Sequence, residues 1–189
     1  MTVDLLHSIP ALLTRNVESF GDKPAYREKE FGIWQSWTWA QAADQIDALA
    51  AALAALGAVV DDNITIVGRN RLALYLAMVA AQRIGCVPVP LYQDAAAEGM
   101  GYALDHCGAR FAVFSDQEQV DKIADIHAGL PILDHIIYLD GRGLRKYDHA
   151  AMTSYADVKP LAPLLDCLRV RMIACTAPCS LYSDLGWCG

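Results

Sequence analysis

One stretch, Asn63 to Tyr92, constrains the fold more than any other. Asn63-Ile64-Thr65-Ile66-Val67 is a short apolar β-rich run and Gly68-Arg69-Asn70 a turn. Apolar residues then recur at helical spacing as far as Ile84, and Gly85-Cys86-Val87-Pro88-Val89-Pro90-Leu91-Tyr92 is a second Val-rich run. The pattern spells strand, crossover helix, parallel strand. Within the helix, Leu72, Tyr75, Met78, Val79 and Gln82 recur at three- and four-residue intervals, which predicts that they face the sheet. Pro88 and Pro90 cannot donate ladder hydrogen bonds, so the second strand is expected to be short, at an edge, or running out into a loop.

The alternation continues downstream. Asp94 is expected to cap a helix reaching Cys107, although Gly99 and Gly101 each cost about 1 kcal/mol against Ala in a helix interior. Gly108 stops it, residues 111–114 read as a strand, Asp116 opens another helix with capping chemistry, and residues 135–139 read as one more strand. Upstream, residues 8–20 form an amphipathic helix capped by Ser8, with Pro10 in its first turn. Two short runs joined at Phe31-Gly32 then predict a β-hairpin. Trp34, Trp37 and Trp39 are expected to pack on the core from this hairpin and the helix after it, the alternative being an aromatic ligand platform. Thr38-Trp39-Ala40-Gln41 is a capping box for a helix that runs to about Leu56, where Gly57 ends it. Alternating strands and helices predict an α/β fold: a mostly parallel sheet covered by helices on both faces and preceded by a β-hairpin.

At 189 residues the chain suits one domain, or one domain and a fragment. Apolar residues make up 54% and charged residues 20%, a globular composition. The net charge of −7 gives no electrostatic case for nucleic acid. The N-terminal residues carry Asp4 where a signal peptide carries bases, and residues 48–60, the longest apolar stretch, fall short of the ~18 residues a membrane span needs. A cytoplasmic protein without a transmembrane segment is expected.

Doubly wound sheets bind ligands at the carboxyl ends of their strands, usually through a Gly-rich loop leading into a helix. The sequence has neither G-x-G-x-x-G nor G-x-x-x-x-G-K-[ST]. The nearest candidates for an anion are Gly68-Arg69-Asn70-Arg71 and the basic loop Gly141-Arg142-Gly143-Leu144-Arg145-Lys146. In each, a turn with solvated charges is the commoner outcome. His106, His127, His135 and His149 read as surface or structural residues, with no spacing that marks a metal or catalytic site. Four of the six cysteines, Cys167, Cys175, Cys179 and Cys188, crowd the last 31 residues at spacings unlike zinc knuckles. No catalytic residue and no metal ligand is assigned, and the cofactor-binding residues are unknown.

Several stretches resemble the N-terminal part of the AMP-forming adenylate-forming enzymes, and among them the bacterial long-chain fatty-acid–CoA ligases. They are Gly21-Asp22-Lys23-Pro24-Ala25, Trp37-Thr38-Trp39, Gly85 through Asp94, Tyr102-Ala103-Leu104-Asp105-His106, Asp116 through Lys122, and Arg142 through Tyr147. They run in family order from about Pro10 to Val158. The resemblance implies part of an adenylate-forming domain. In the intact family, ATP activates a fatty acid to acyl-AMP, with Mg²⁺ and a T-S-G-T-T-G-x-P-K-G loop holding the phosphates, and coenzyme A then takes the acyl group. That loop is absent from the sequence, so no cofactor is expected for this chain alone and no activity from it.

Residues 159–189 change character, with three prolines, four cysteines and no Glu. The expected division is a partial AMP-binding domain over 1–158 and an unrelated Cys-rich tail over 159–189, disordered or read from a shifted frame. Self-association through uncovered apolar surface is expected. The competing reading is a non-catalytic binding or interaction module built on the same sheet; a Rossmann-type nucleotide domain would need the Gly-rich loop that is missing.

Overall fold

The computed structural model describes residues 8–124, 133–144, 147 and 152–158. The first helix, α1 (Ile9–Phe20), starts where Ser8 accepts a hydrogen bond from the amide of Ala11 at 3.3 Å. Strands β1 (Pro24–Glu30) and β2 (Ile33–Thr38) form an antiparallel hairpin that pairs Lys29 with Trp34 and Arg27 with Ser36. Helix α2 (Trp39–Ala55) opens on the expected capping box: the Gln41 amide donates to Thr38 Oγ1 at 3.2 Å, and the Thr38 amide donates to Gln41 Oε1 at 3.0 Å. Two orphan amides at one helix start are satisfied reciprocally.

The rest alternates as the pattern predicted: β3 (Asn63–Val67), α3 (Leu72–Arg83), β4 (Val87–Leu91), α4 (Ala97–His106), β5 (Phe111–Phe114), α5 (Gln117–Ala124) and β6 (His135–Tyr138). Two elements that no pattern announced follow, the three-residue β7 (Met152–Ser154) and the single turn α6 (Tyr155–Val158). The five strands form one parallel sheet in the order β4-β3-β5-β6-β7. β4 lies at the edge of this sheet, one of the placements left open by Pro88 and Pro90. Its register sets them opposite Ile64 and Ile66, and the two prolines share one parity along the strand, leaving the other to pair with β3.

Side chains alternate across the sheet with period two. Ile64, Ile66, Phe111, Val113 and Ile137 join the core formed with α1, α2 and α3. Val67, Ala112, Phe114 and Ile136 join the opposite core with Met100, Leu104, Val120 and Ile123 of α4 and α5. Both faces are covered, so every strand residue of β5 is buried and reads as a continuous apolar run.

Three local expectations give way to tertiary contacts. Helix α4 begins after Ala96 with no side-chain cap, Asp94 lies in the preceding turn, and Gly99 and Gly101 fall within the helix. On α3, Leu72 and Val79 are buried and Met78 packs on the core as expected, joined by Leu76, Ala77, Ala80 and Ala81, whereas Tyr75 is 43% exposed, with its hydroxyl on Asn70 in the preceding loop. Trp37 and Trp39 pack against the core as expected, but Trp34 is 65% exposed. It sits on the outer face of the hairpin, where nothing among the described residues covers it.

Candidate functional site at the carboxyl edge of the sheet

The chain leaves β3 through α3 on one face of the sheet and leaves β5 through α5 on the other. Adjacent strands whose connections part in this way make a crevice at their carboxyl ends, the usual ligand position in an open α/β sheet. Here the crevice is closed tightly by protein. The Ser115 amide donates to the Val67 carbonyl at 2.9 Å, and the Asp140 amide donates to the Ser115 carbonyl at 3.0 Å. Gly68 lies so near Ser115 that a Cβ on it would meet Ser115 Cβ at 2.4 Å and Oγ at 2.6 Å.

The charged residues of this edge are mostly committed to one another. Arg71 contacts Glu28 at 3.2 Å and Glu30 at 3.8 Å, both on β1. The second oxygen of Glu28 accepts the amide of Leu72 at 2.8 Å. A carboxylate contributed from 44 residues upstream therefore occupies the N-terminus of α3, whose own cap residue, Arg71, makes no side-chain cap bond; negative charge is favoured there by the helix dipole. Arg142 pairs with Asp140. The hydrogen bond from Arg142 holds the Asp140 carboxyl below its ordinary value of 3.8, assisted by the Arg142 amide and the charge of Arg71 and opposed by partial burial. Asp140 and, more distantly, Glu30 keep the Arg142 guanidinium firmly protonated. Ser115 Oγ donates to Asp116, and Asp116 also receives the amide of Gln119 at 3.4 Å, capping α5 as expected.

The two basic loops singled out in the sequence thus reach the same edge, but their charges are largely satisfied internally. Arg69 is exposed and makes no ion pair among the described residues. Arg145 and Lys146 lie outside the described residues. His106 stacks on Tyr102 and His135 on Phe111, which are structural ring contacts. His127, His149 and the cysteines beyond 158 lie outside the described residues; Cys86 is buried, and Cys107 is half-buried. Among the described residues no three His, Cys, Asp or Glu side chains group as a metal site, and no helix is long and apolar enough to cross a membrane. Glu28, Ser115 and Asp140 are the edge residues that local patterns did not single out. Glu28 in particular sits in an ordinary strand and meets α3 only through the tertiary fold.

Comparison with known proteins places this geometry. The family model described as AMP-binding enzyme matches residues 13–173. The uncharacterized protein Rv1549 of Mycobacterium tuberculosis is 34% identical over 107 residues, covering 57% of this chain and 59% of that protein. The long-chain-fatty-acid–CoA ligase FadD15 of Mycobacterium bovis is 26% identical over 188 residues, covering all of this chain and 31% of that protein. Among solved structures, the anthranilate CoA ligase AuaEII in complex with anthranoyl-AMP superimposes with a TM-score of 0.69 at 19% identity, over 80% of this chain and 27% of that one. Coronafacic acid ligase from Pectobacterium brasiliense gives a TM-score of 0.69 at 16% identity, over 80% and 29%. These similarities show the fold, and the chain spans less than two thirds of the curated relatives it matches.

Proposed function

Because this chain belongs to the AMP-binding enzyme family, we propose that it is the N-terminal part of a long-chain fatty-acid–CoA ligase and is inactive by itself. The single observation that carries the substrate class is the match to FadD15 across 188 residues. In that reading the intact enzyme uses ATP, Mg²⁺ and coenzyme A to convert a fatty acid to its thioester through acyl-AMP. The described residues do not fit the phosphate part of that task. Gly68 to Arg71 holds one glycine, Arg71 is held by Glu28 and Glu30, and the sequence contains no T-S-G-T-T-G-x-P-K-G loop. We therefore route no chemical step through these side chains and read the carboxyl edge as scaffold.

The same reading places the partial domain over 1–158 and a tail of foreign origin over 159–189, resting on the change of composition after Val158. The family match runs on to residue 173 and the FadD15 match covers the whole chain; both extend past Val158 and count against a foreign tail, so the coding DNA decides the boundary. Translation of the other frames beyond codon 158 should give the phosphate loop; if no frame encodes it, the interrupted-gene reading fails. Cytoplasmic residence and self-association belong to this reading as well. For activity, the purified chain is expected to give no ATP–pyrophosphate exchange with any long-chain fatty acid. Exchange above background would overturn the inactivity, and saturable ATP or fatty-acid binding without exchange would favour a non-catalytic binding module.

A further inference from the structure

We propose that the β1–β2 hairpin docks on the surface of an anionic lipid bilayer, with Phe31 and Trp34 entering the headgroup layer and Arg27 and Lys29 lying against its phosphates. Phe31 is 85% exposed and Ile33 and Trp34 are each 65% exposed, at and next to the turn, with Trp34 on the face of Lys29 and Ile33 on the opposite face, across from Glu30. The position of Phe31 is costly in a second way. Phe31 has φ +47° and Gly32 φ +84°, the backbone of a two-residue hairpin turn in which Asn-Gly is the unstrained choice. An aromatic residue in the left-handed region is a true outlier, and backbone outliers that persist point to function rather than to folding.

The charge distribution selects the partner. Residues directly opposite in an antiparallel pair share a face, so Lys29 stands beside Trp34 and Arg27 beside Ser36, and all four are exposed. The acidic residues of the same strand lie on the other face, in contact with Arg71: Glu28 is mostly covered, and Glu30 is 43% exposed. In a chain with net charge −7, the outer face of this hairpin is cationic and aromatic. That is the complement of an anionic lipid surface, where Trp settles at the headgroup level and each cation adds roughly fivefold to binding. The base of the hairpin packs against the core through Tyr26 and Trp37, with Trp39 of α2 beside Tyr26. The inference stands on the hairpin alone and does not depend on the ligase reading.

The test is sedimentation of the full chain with phosphatidylcholine vesicles, with and without phosphatidylserine, at low and raised salt. Binding is expected only with phosphatidylserine and should fall as salt rises. The double variant R27E/K29E should weaken it by about 25-fold or more, from two cations at roughly fivefold each. Phe31→Asn should lower vesicle binding while raising thermal stability, a split that a purely structural role for Phe31 cannot give. Equal binding to both vesicle types, or no binding to either, would overturn the proposal. So would a concentration-dependent dimer that Trp34→Ser abolishes in a chain that ignores vesicles, since the tip then serves a second copy.

Discussion

Gly68 and Ser115 touch across the point where the sheet's connections diverge, with room for no Cβ on the glycine: the nearest atoms would be 2.4 Å and 2.6 Å away, and Leu74 Cδ1 3.3 Å. The contact fixes β3 against β5 at their carboxyl ends. Gly68→Ala should therefore destabilise by about 1–3 kcal/mol, the range for overpacking a close-fitted site. Because Ser115 Cβ makes the shortest contact, adding Ser115→Gly should restore part of the loss and Ser115→Ala should restore much less. Urea midpoints of the four proteins check this, and equal rescue by both second substitutions would refute the assignment.

Glu28 acts at two places at once, as an ion pair with Arg71 and as the acceptor for the Leu72 amide. Glu28→Ala should cost roughly 1 kcal/mol, the scale of a lost helix cap. Glu28→Gln keeps an acceptor and loses only the charge, so it should cost a few tenths of that, since ion pairs this exposed are worth about 0.2–1 kcal/mol. Thermal unfolding of both variants separates the two contributions; equal losses would mean that the charge, not the cap, holds the hairpin to α3.

The pair of Asp140 and Arg142 gives stability an acid limb. The folded-state pKa of Asp140 is depressed, so its contribution is present above the ordinary value of 3.8 and is lost as pH falls through the lower folded value. The stability gap between the parent chain and Asp140→Asn should be constant near neutrality and close below about pH 3.8. At the other end, burial, with a smaller effect of Tyr75 on Tyr26, raises the pKa of Tyr26 and Tyr155 above 10.0. Their neutral forms stabilise the fold below pH 10.0, and that contribution is lost as pH rises through the raised values. Urea midpoints across pH test both limbs, and a flat Asp140→Asn gap through the acid range would contradict the first.

What could be read from the sequence was local or periodic. The capping box at Thr38 and Gln41, the strand at 111–114 and the edge position allowed by Pro88 and Pro90 follow from neighbours a few residues apart. The same kind of reasoning misplaced Trp34, because an exposed aromatic and a core aromatic have the same neighbours in a hairpin and differ only in which face the sheet covers. It also treated Arg69 and Arg71 alike. Only the fold brings Glu28 and Glu30 onto Arg71, across a separation of more than 40 residues, and leaves Arg69 in solvent. The carboxyl edge was thus legible as a place and not as a network.

Phe31 offers the sharpest separation between what the fold needs and what it carries. A left-handed backbone costs an L-residue roughly 1–2 kcal/mol, less for Asn, whose short polar side chain makes local hydrogen bonds. The side chain of Phe31 recovers little of this by burial, being 85% exposed. Phe31→Asn should therefore stabilise the chain by about 1 kcal/mol, which for a protein of this size raises the unfolding temperature by roughly 2–4 °C. Phe31→Ala should do nothing of the kind, because alanine is as strained as phenylalanine at φ +47° and relieves only the exposure. If calorimetry shows Asn and Ala to be equivalent, the gain comes from removing an exposed ring and the turn is not strained; if both destabilise, Phe31 packs on something in solution, and a role as a free apolar tip is lost with it.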